Sequence, residues 1–568
     1  MKKFIWLMVN IWLIQFTVIA QSSIIEIFPS QGTDNQNIVL ALTKASDYNN
    51  KPVTIKLSPG IYNLNRAEAT QKLYYISNTT SETDDPDPTK HIGVFLNSLK
   101  NVTIDGCGAT LLLNGEMTSF ILDHCENITL KNLNIDHQAP TQVEMEVIEE
   151  GEDYLIVKVH PTSHYQIENG VLKWLGDGWS FTNGIAQSYD RISDTTWRSW
   201  SPTENLIRAI EIRPNILYLQ YKEKPKVSIN TVFQIRDSIR DEVCGFVYKC
   251  KNIQFENINF YYLGNFGVVC QTSENITFNH CNFSPKPGSG RTNAGFADFI
   301  QVSGCRGMVD IRNSRFIGAH DDPINIHGTH LKVTEFLSSN RIKVRYMHSQ
   351  TFGFESFFKG DEIELVDAYS LLPVDKAKVT KAKLLTPREI ELTLSRPLSK
   401  ETINHADLVV ENVTWTPEVK IVNNYFARIP TRGILISTRR KTLIEKNTFY
   451  GMQMSGILVA DDGLSWYESG PVHDLTIRQN TFLDCGEPVI NIEPENRNHE
   501  GAVHKNVTIE ENSFYMKANS SSAIKAKAVD GLIIRNNFIH SHKNKKDKEP
   551  NFIQVHECEN VIIKDNIN

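Results

Sequence analysis

The sequence predicts an all-β fold: a right-handed parallel β-helix with two inserted antiparallel β-barrel or sandwich regions. Three observations carry this expectation. A short strand motif recurs along the chain, with spacings such as 23, 25 and 32 residues. Its copies put Asn at the turns and alternate apolar with polar residues in between. Two long stretches break the repeat and hold longer alternating strands.

The first residues form a separate element. Lys2 and Lys3 precede an apolar run from Phe4 to Ile19, and Val18-Ile19-Ala20 offers a small-residue cleavage site. This pattern is that of a signal peptide over residues 1–20, so the mature chain is expected to be exported, periplasmic or secreted. No Cys follows the cut, and no later segment is apolar enough to span a bilayer.

The coil begins in residues 21–137 and resumes in 249–329 and 417–568. Early copies of the motif are Asn127-Ile-Thr-Leu-Lys-Asn-Leu-Asn-Ile135 and Asn252-Ile-Gln-Phe-Glu-Asn-Ile-Asn-Phe260. Later ones are Leu475-Thr-Ile-Arg-Gln-Asn-Thr-Phe482 and Val507-Thr-Ile-Glu-Glu-Asn-Ser-Phe514. A unit this short cannot bury its apolar face alone, so the copies must stack. Successive rungs then lie about 4.8 Å apart. Asn suits the corners because it tolerates the left-handed backbone region and bonds nearby main chain. The Asn-X-Thr triplets at Asn101, Asn127, Asn275 and Asn506 are read as corner ladders. Cys125, Cys250 and Cys558 each stand two residues before such an Asn, and Cys305 two before Gly307. That repeated position predicts a buried stack of thiols rather than disulfides.

The interruptions span residues 138–248 and 330–416. Val143-Glu-Met-Glu-Val-Ile148 and Glu389-Ile-Glu-Leu-Thr-Leu394 are typical of their strands. The second region starts directly after an acidic motif and is expected to wall a site there.

Net charge is -7, about -9 without Lys2 and Lys3, and no basic stripe suggests nucleic acid. The chemistry concentrates at a phrase written twice. Asp298-Phe-Ile-Gln-Val-Ser-Gly304 returns 24 residues later as Asp322-Pro-Ile-Asn-Ile-His-Gly328, preceded by Asp321. On a coil, Asp298 and Asp322 fall on neighbouring rungs with Asp321 beside them. An Asp at a strand entry commonly caps a turn. Three clustered carboxyls, however, repel one another unless water, protons or a substrate relieves them. That favours acid–base work on a glycosidic bond. Inversion needs an acid on the leaving oxygen and a base holding water; retention needs a closer pair, and the spacing allows either. One arrangement has Asp298 and Asp322 share the water while Asp321 serves as general acid. His320, Asn325 and His327 enrich the patch. Arg432, Trp466, Glu493 and Glu495 lie on or near aligned strands and are candidates to bind sugar, Trp466 by stacking. Asp461 and Asp462 are read as loop residues.

The segments Ala297-Asp298-Phe299 and Gly318-Ala-His-Asp-Asp-Pro-Ile-Asn-Ile-His-Gly328 resemble glycoside hydrolase family 110. The likeness spans nearly the whole mature chain. It implies exo-acting α-1,3-galactosidase activity on blood group B and related glycans, inversion, no metal or other cofactor, and the catalytic set Asp298, Asp321 and Asp322. The layout is also similar to polygalacturonases, another β-helix family with an Asp pair. This chain lacks their Gly-His-Gly, and no Arg-Ile-Lys stands on its coil. A non-enzymatic glycan-binding β-helix is the remaining reading.

Overall fold

The computed structural model describes residues 23–567 except 80, 518–519, 521 and 542–550; the expected signal peptide lies outside the described residues. Parallel strands coil along most of the chain. Glu126–His137 runs round a corner, pairing with Lys100–Asp105 on one face and Thr110–Asn114 on the next. Lys251–Phe260 stacks on it and turns the same corner. The bends fall at Asn132 and Asn257, with φ of 55° and 52°. A branched residue would be strained there, and Asn is tolerated.

The remaining face carries the acidic phrases. It stacks Thr118–Asp123, Val243–Tyr248, Phe266–Gln271, Ile300–Ser303, Ile324–Thr329, Ile434–Ile436 and further strands towards Ile553–His556. Val243–Tyr248 pairs in parallel with strands on both sides. The coil therefore resumes before residue 249: the run is continuously apolar because both its faces are covered, and no Asn opens it.

Alternate residues fill the interior. Ile300, Val302, Ile324 and Ile326 are wholly buried in one continuous core. Phe260, Phe283, Phe316, Phe426, Phe449, Phe482 and Phe514 form a stack with ring centroids 4.5–5.0 Å apart. Stacked pairs add about 0.5–1.5 kcal/mol each beyond their burial. A buried Asn ladder runs beside it: Asn424 donates to Asn447, Asn447 to Asn480, Asn480 to Asn512 and Asn512 to Asn537, each at 3.0 Å. Another ladder joins Asn101, Asn127, Asn252 and Asn275, as the corner reading anticipates. All nine cysteines are free thiols. Cys250 and Cys305 accept bonds from the Cys125 and Ser273 backbone N–H groups, so a stack exists with Ser273 as one member, whereas Cys558, expected in it, is only half-buried and bonds the Ala526 and His556 carbonyls. At the N-terminal end, helix Asn35–Ser46 buries Ile38, Ala41, Leu42 and Ala45 against the core.

The first insertion holds a seven-stranded antiparallel sheet, from Val143–Glu150 to Thr231–Arg236, with a three-stranded sheet. Trp174, Trp179 and Phe181 from the small sheet join the large sheet's core. The second insertion is a closed six-stranded barrel from Leu331–Ser338 to Leu408–Asn412, with its own core around Leu365, Leu392 and Val410.

Removing a ring from the middle of the stack should be costly. Phe449→Ala is expected to lose about 3–5 kcal/mol, read as a lower guanidinium midpoint. A midpoint equal to that of the unaltered protein would mean that the stack is not a stabilising element.

Candidate active site

Asp298 and Asp322 stand at the entries of Ile300–Ser303 and Ile324–Thr329. Register pairs Ile300 with Ile324, Gln301 with Asn325 and Ser303 with His327. The Ile300 N–H donates to the Pro323 carbonyl at 2.9 Å. The two acids therefore occupy equivalent places on adjacent rungs. With Asp321 they line a cavity enclosing about 660 Å³ with its open mouth included. Leu435, Leu458 and Ala460 line it from the next rungs, and Trp466 lines it from a loop.

The carboxyls differ in their partners. Arg432 opens the next rung and grips Asp322: its backbone N–H and Nε reach Oδ1 at 3.1 and 3.0 Å, and Nη2 reaches Oδ2 at 2.9 Å. Asp321 faces Arg240 Nη2 at 3.1 Å and Arg198 Nη2 at 3.7 Å, both from the first insertion's side. Asp298 is 5% exposed, and Asn325 Nδ2 donates to it at 3.3 Å. Burial first, then the charges of Asp321 and Asp322, push the Asp298 carboxyl well above the usual range. Burial also raises Asp322, with Arg432 opposing it. The Asp322 charge in turn raises the Arg432 guanidinium, which stays a cation.

Several lining residues come from beyond the acidic rungs. Glu468, on the two-residue strand Glu468–Ser469 paired antiparallel to Gly328–Thr329, accepts from Asn78 at 3.1 Å and Asn325 at 3.4 Å. Asp462 lines the cavity and also accepts the backbone N–H groups of residues 464–467, which shapes the loop that presents Trp466. The Trp466 ring stacks on His348 of the barrel region at 4.4 Å, so the second insertion buttresses the loop that lines the cavity rather than, as expected, lining it with residues of its own. Glu495 lines the cavity, its carboxyl raised by burial and then by Asp462 and Glu468.

Asp298, Asp321, Asp322, Asn325, Arg432, Trp466 and Glu495 thus converge as expected, and three candidates do not. His320 is buried against the first insertion with Nε2 2.9 Å from Gln234 Oε1, and burial holds its pKa well below the usual range. His327 lies beneath the cavity with Nε2 3.5 Å from Glu468, its strand parity outward but its ring covered. Glu493 sits outside the cavity and pairs with Lys525 at 2.8 Å. Sequence reasoning missed Glu468, Arg240, Arg198 and Asn78. None belongs to the motif, and no local pattern marks them; Asp462 was legible only as the second half of an Asp pair.

Comparison with known proteins bears on this geometry. The chain is 73% identical to α-1,3-galactosidase A of Bacteroides thetaiotaomicron over 559 residues, 98% of each chain. It belongs to glycoside hydrolase family 110, the α-1,3-galactosidases. It is 38% identical to α-1,3-galactosidase A of Bacteroides fragilis over 85% of this chain and 81% of that one. It is 32% identical to α-1,3-galactosidase B of B. thetaiotaomicron over 90% and 85%. Residues 341–409 match the GLAA-B β-barrel domain II, and 406–567 match a right-handed β-helix region. The family protein is a glycoside hydrolase on a right-handed β-helix, and its domain II is the six-stranded barrel.

Arg432 favours the Asp322 carboxylate, so removing its charge lets Asp322 hold a proton to higher pH. Arg432→Gln is expected to move the acid limb of the kcat/KM profile to higher pH, whereas Arg432→Lys leaves it nearly in place. An unmoved limb in Arg432→Gln would show that Asp322 need not be ionised for turnover.

Proposed function

We propose that this protein is an exported, exo-acting α-1,3-galactosidase that releases terminal galactose from blood group B-type and linear glycans with inversion. The observation that carries the reading is the unequal pairing of three clustered carboxyls. Asp321 and Asp322 each face arginine, Asp321 at 3.1 Å from Arg240 and Asp322 at 2.9 Å from Arg432, which opposes the rise that burial gives Asp322. Asp298 is buried with an amide instead, which favours its protonated form. Asp298 then protonates the leaving oxygen, and Asp321 and Asp322 hold and deprotonate the attacking water. This transfers the general-acid role from Asp321 to Asp298, because Asp321 is ion-paired with Arg240 and Arg198 whereas the partner of Asp298 is an amide. One pocket lined by apolar rungs and Trp466 suits a single terminal sugar, its ring C–H groups against the indole. The names of the relatives, α-1,3-galactosidase A and B, support galactose as that sugar. Export rests on the leader read in residues 1–20.

Proton magnetic resonance during hydrolysis of an α-1,3-galactoside should show β-galactose first; α-galactose first would mean retention. Asp298→Asn should cost about 10²–10⁴ in rate on alkyl galactosides and far less on α-galactosyl fluoride, whose leaving group needs little protonation. Asp322→Asn should lose both activities. Equal losses on both substrates in Asp298→Asn would remove it as the acid.

The raised carboxyl also links to stability. A folded-state pKa above the unfolded one contributes stability at low pH that is lost as pH rises towards the folded value. Asp298→Asn lacks that loss, so its melting temperature should exceed the parent's by a margin that widens with pH. A margin independent of pH would contradict this.

A further inference from the structure

The first insertion meets the catalytic loop along one face of its large sheet. Cross-strand register aligns Glu144 with Gln234, Gln234 with Gln187 and Gln187 with Arg198. Residues paired across strands project from the same side, and all four reach the coil. Glu144 accepts from the Thr292 N–H at 2.9 Å and hydroxyl at 3.0 Å. Gln234 donates to the Thr292 hydroxyl at 2.7 Å, and Gln187 to the His320 carbonyl at 2.7 Å. Arg198 ends the row, 3.7 Å from Asp321. This polar seam runs straight to the catalytic acids.

Two residues along each strand, side chains return to the same face. The next row is therefore Arg236, Ile185 and Trp200. Register pairs Ile185 with Arg236, and the pairing of Ala186 with Ser199 carries Trp200 opposite Ile185. Arg236 is buried with its guanidinium 3.9 Å from the Phe296 ring centroid. Ile185 and Trp200 are 47% and 79% exposed. An indole and a branched alkyl group are thus exposed to water on the sheet face that carries Arg198, whose guanidinium lies 3.7 Å from Asp321. Exposed apolar groups on that face are free to pack against a ligand that approaches Asp321.

We infer that Trp200, supported by Ile185, forms an acceptor-side subsite that stacks the sugar rings following the scissile bond. The inference rests on the galactosidase reading of the pocket. The pocket holds the terminal sugar and points its reducing side to the mouth, where the next rings meet the insertion's face. Sugar C–H groups pack on an indole without needing a charge, so the ligand class is a neutral oligosaccharide. Arg198 adjoins the indole and supplies donors for hydroxyl groups. The first insertion then contributes substrate length preference, separate from the acid–base chemistry.

The test compares Trp200→Ala and Trp200→Phe with the parent on two substrates: an α-1,3-galactosyl trisaccharide and α-galactosyl fluoride, which has no acceptor sugar. Trp200→Ala should raise KM for the trisaccharide about tenfold with kcat little changed, leave the fluoride kinetics unaltered, and be largely rescued in Trp200→Phe. An unchanged trisaccharide KM, or equal changes on both substrates, overturns the subsite. Failure of the parent to release galactose from the trisaccharide would instead overturn the galactosidase reading. Melting temperatures equal to the parent's are expected for both variants, since Trp200 is solvent-exposed.

Discussion

Rung-over-rung register is the constraint on which the rest of this structure depends. Parallel strands pair residue for residue, and side chains alternate between core and surface with a period of two. A slip of one residue would turn every core side chain outward. The Phe stack and the buried Asn ladder oppose such a slip, because both need identical groups in identical places on successive rungs. An Asn out of step would leave buried amides unbonded, at about 1–3 kcal/mol each. This register sets Asp322 above Asp298 and Arg432 beyond Asp322.

Stacking like charges in a buried place has a cost, and the site meets it unevenly. Two carboxyls receive guanidinium partners, one from the next rung and one from the segment leaving the first insertion. The third receives an amide, and its proton is held by burial and by its neighbours' charges. The same desolvation that would destabilise three carboxylates thus sets one carboxyl apart from the other two. General acid–base cleavage of a glycoside needs that division.

The insertions complete what the coil cannot supply. A β-helix face is nearly flat, and a flat face neither encloses a sugar nor excludes water. The barrel brings His348 against Trp466 to raise one wall. The first insertion brings Arg198 to Asp321, and the segment leaving it brings Arg240. Each insertion keeps its own apolar core, separate from that of the coil.

Asn and Phe at fixed offsets made the coil, its corners and its thiol stack legible in the sequence, because each rung repeats the same local demand. Asp298, Asp322, Asn325 and Arg432 were legible for the same reason: they sit at equivalent points of the repeat. The start of the coil at Val243–Tyr248 was not, since a strand covered on both faces shows no alternation. His320 and His327 had the residue types of a site, yet both are covered, which strand parity alone does not reveal. Arg240 meets Asp321 across 81 positions and Asn78 meets Glu468 across 390. The repeat by itself determined the rungs and the stacked acids, because stacking is a local rule applied many times. Only the tertiary structure decided which acid is paired and what walls the pocket, because those contacts join segments with no common period.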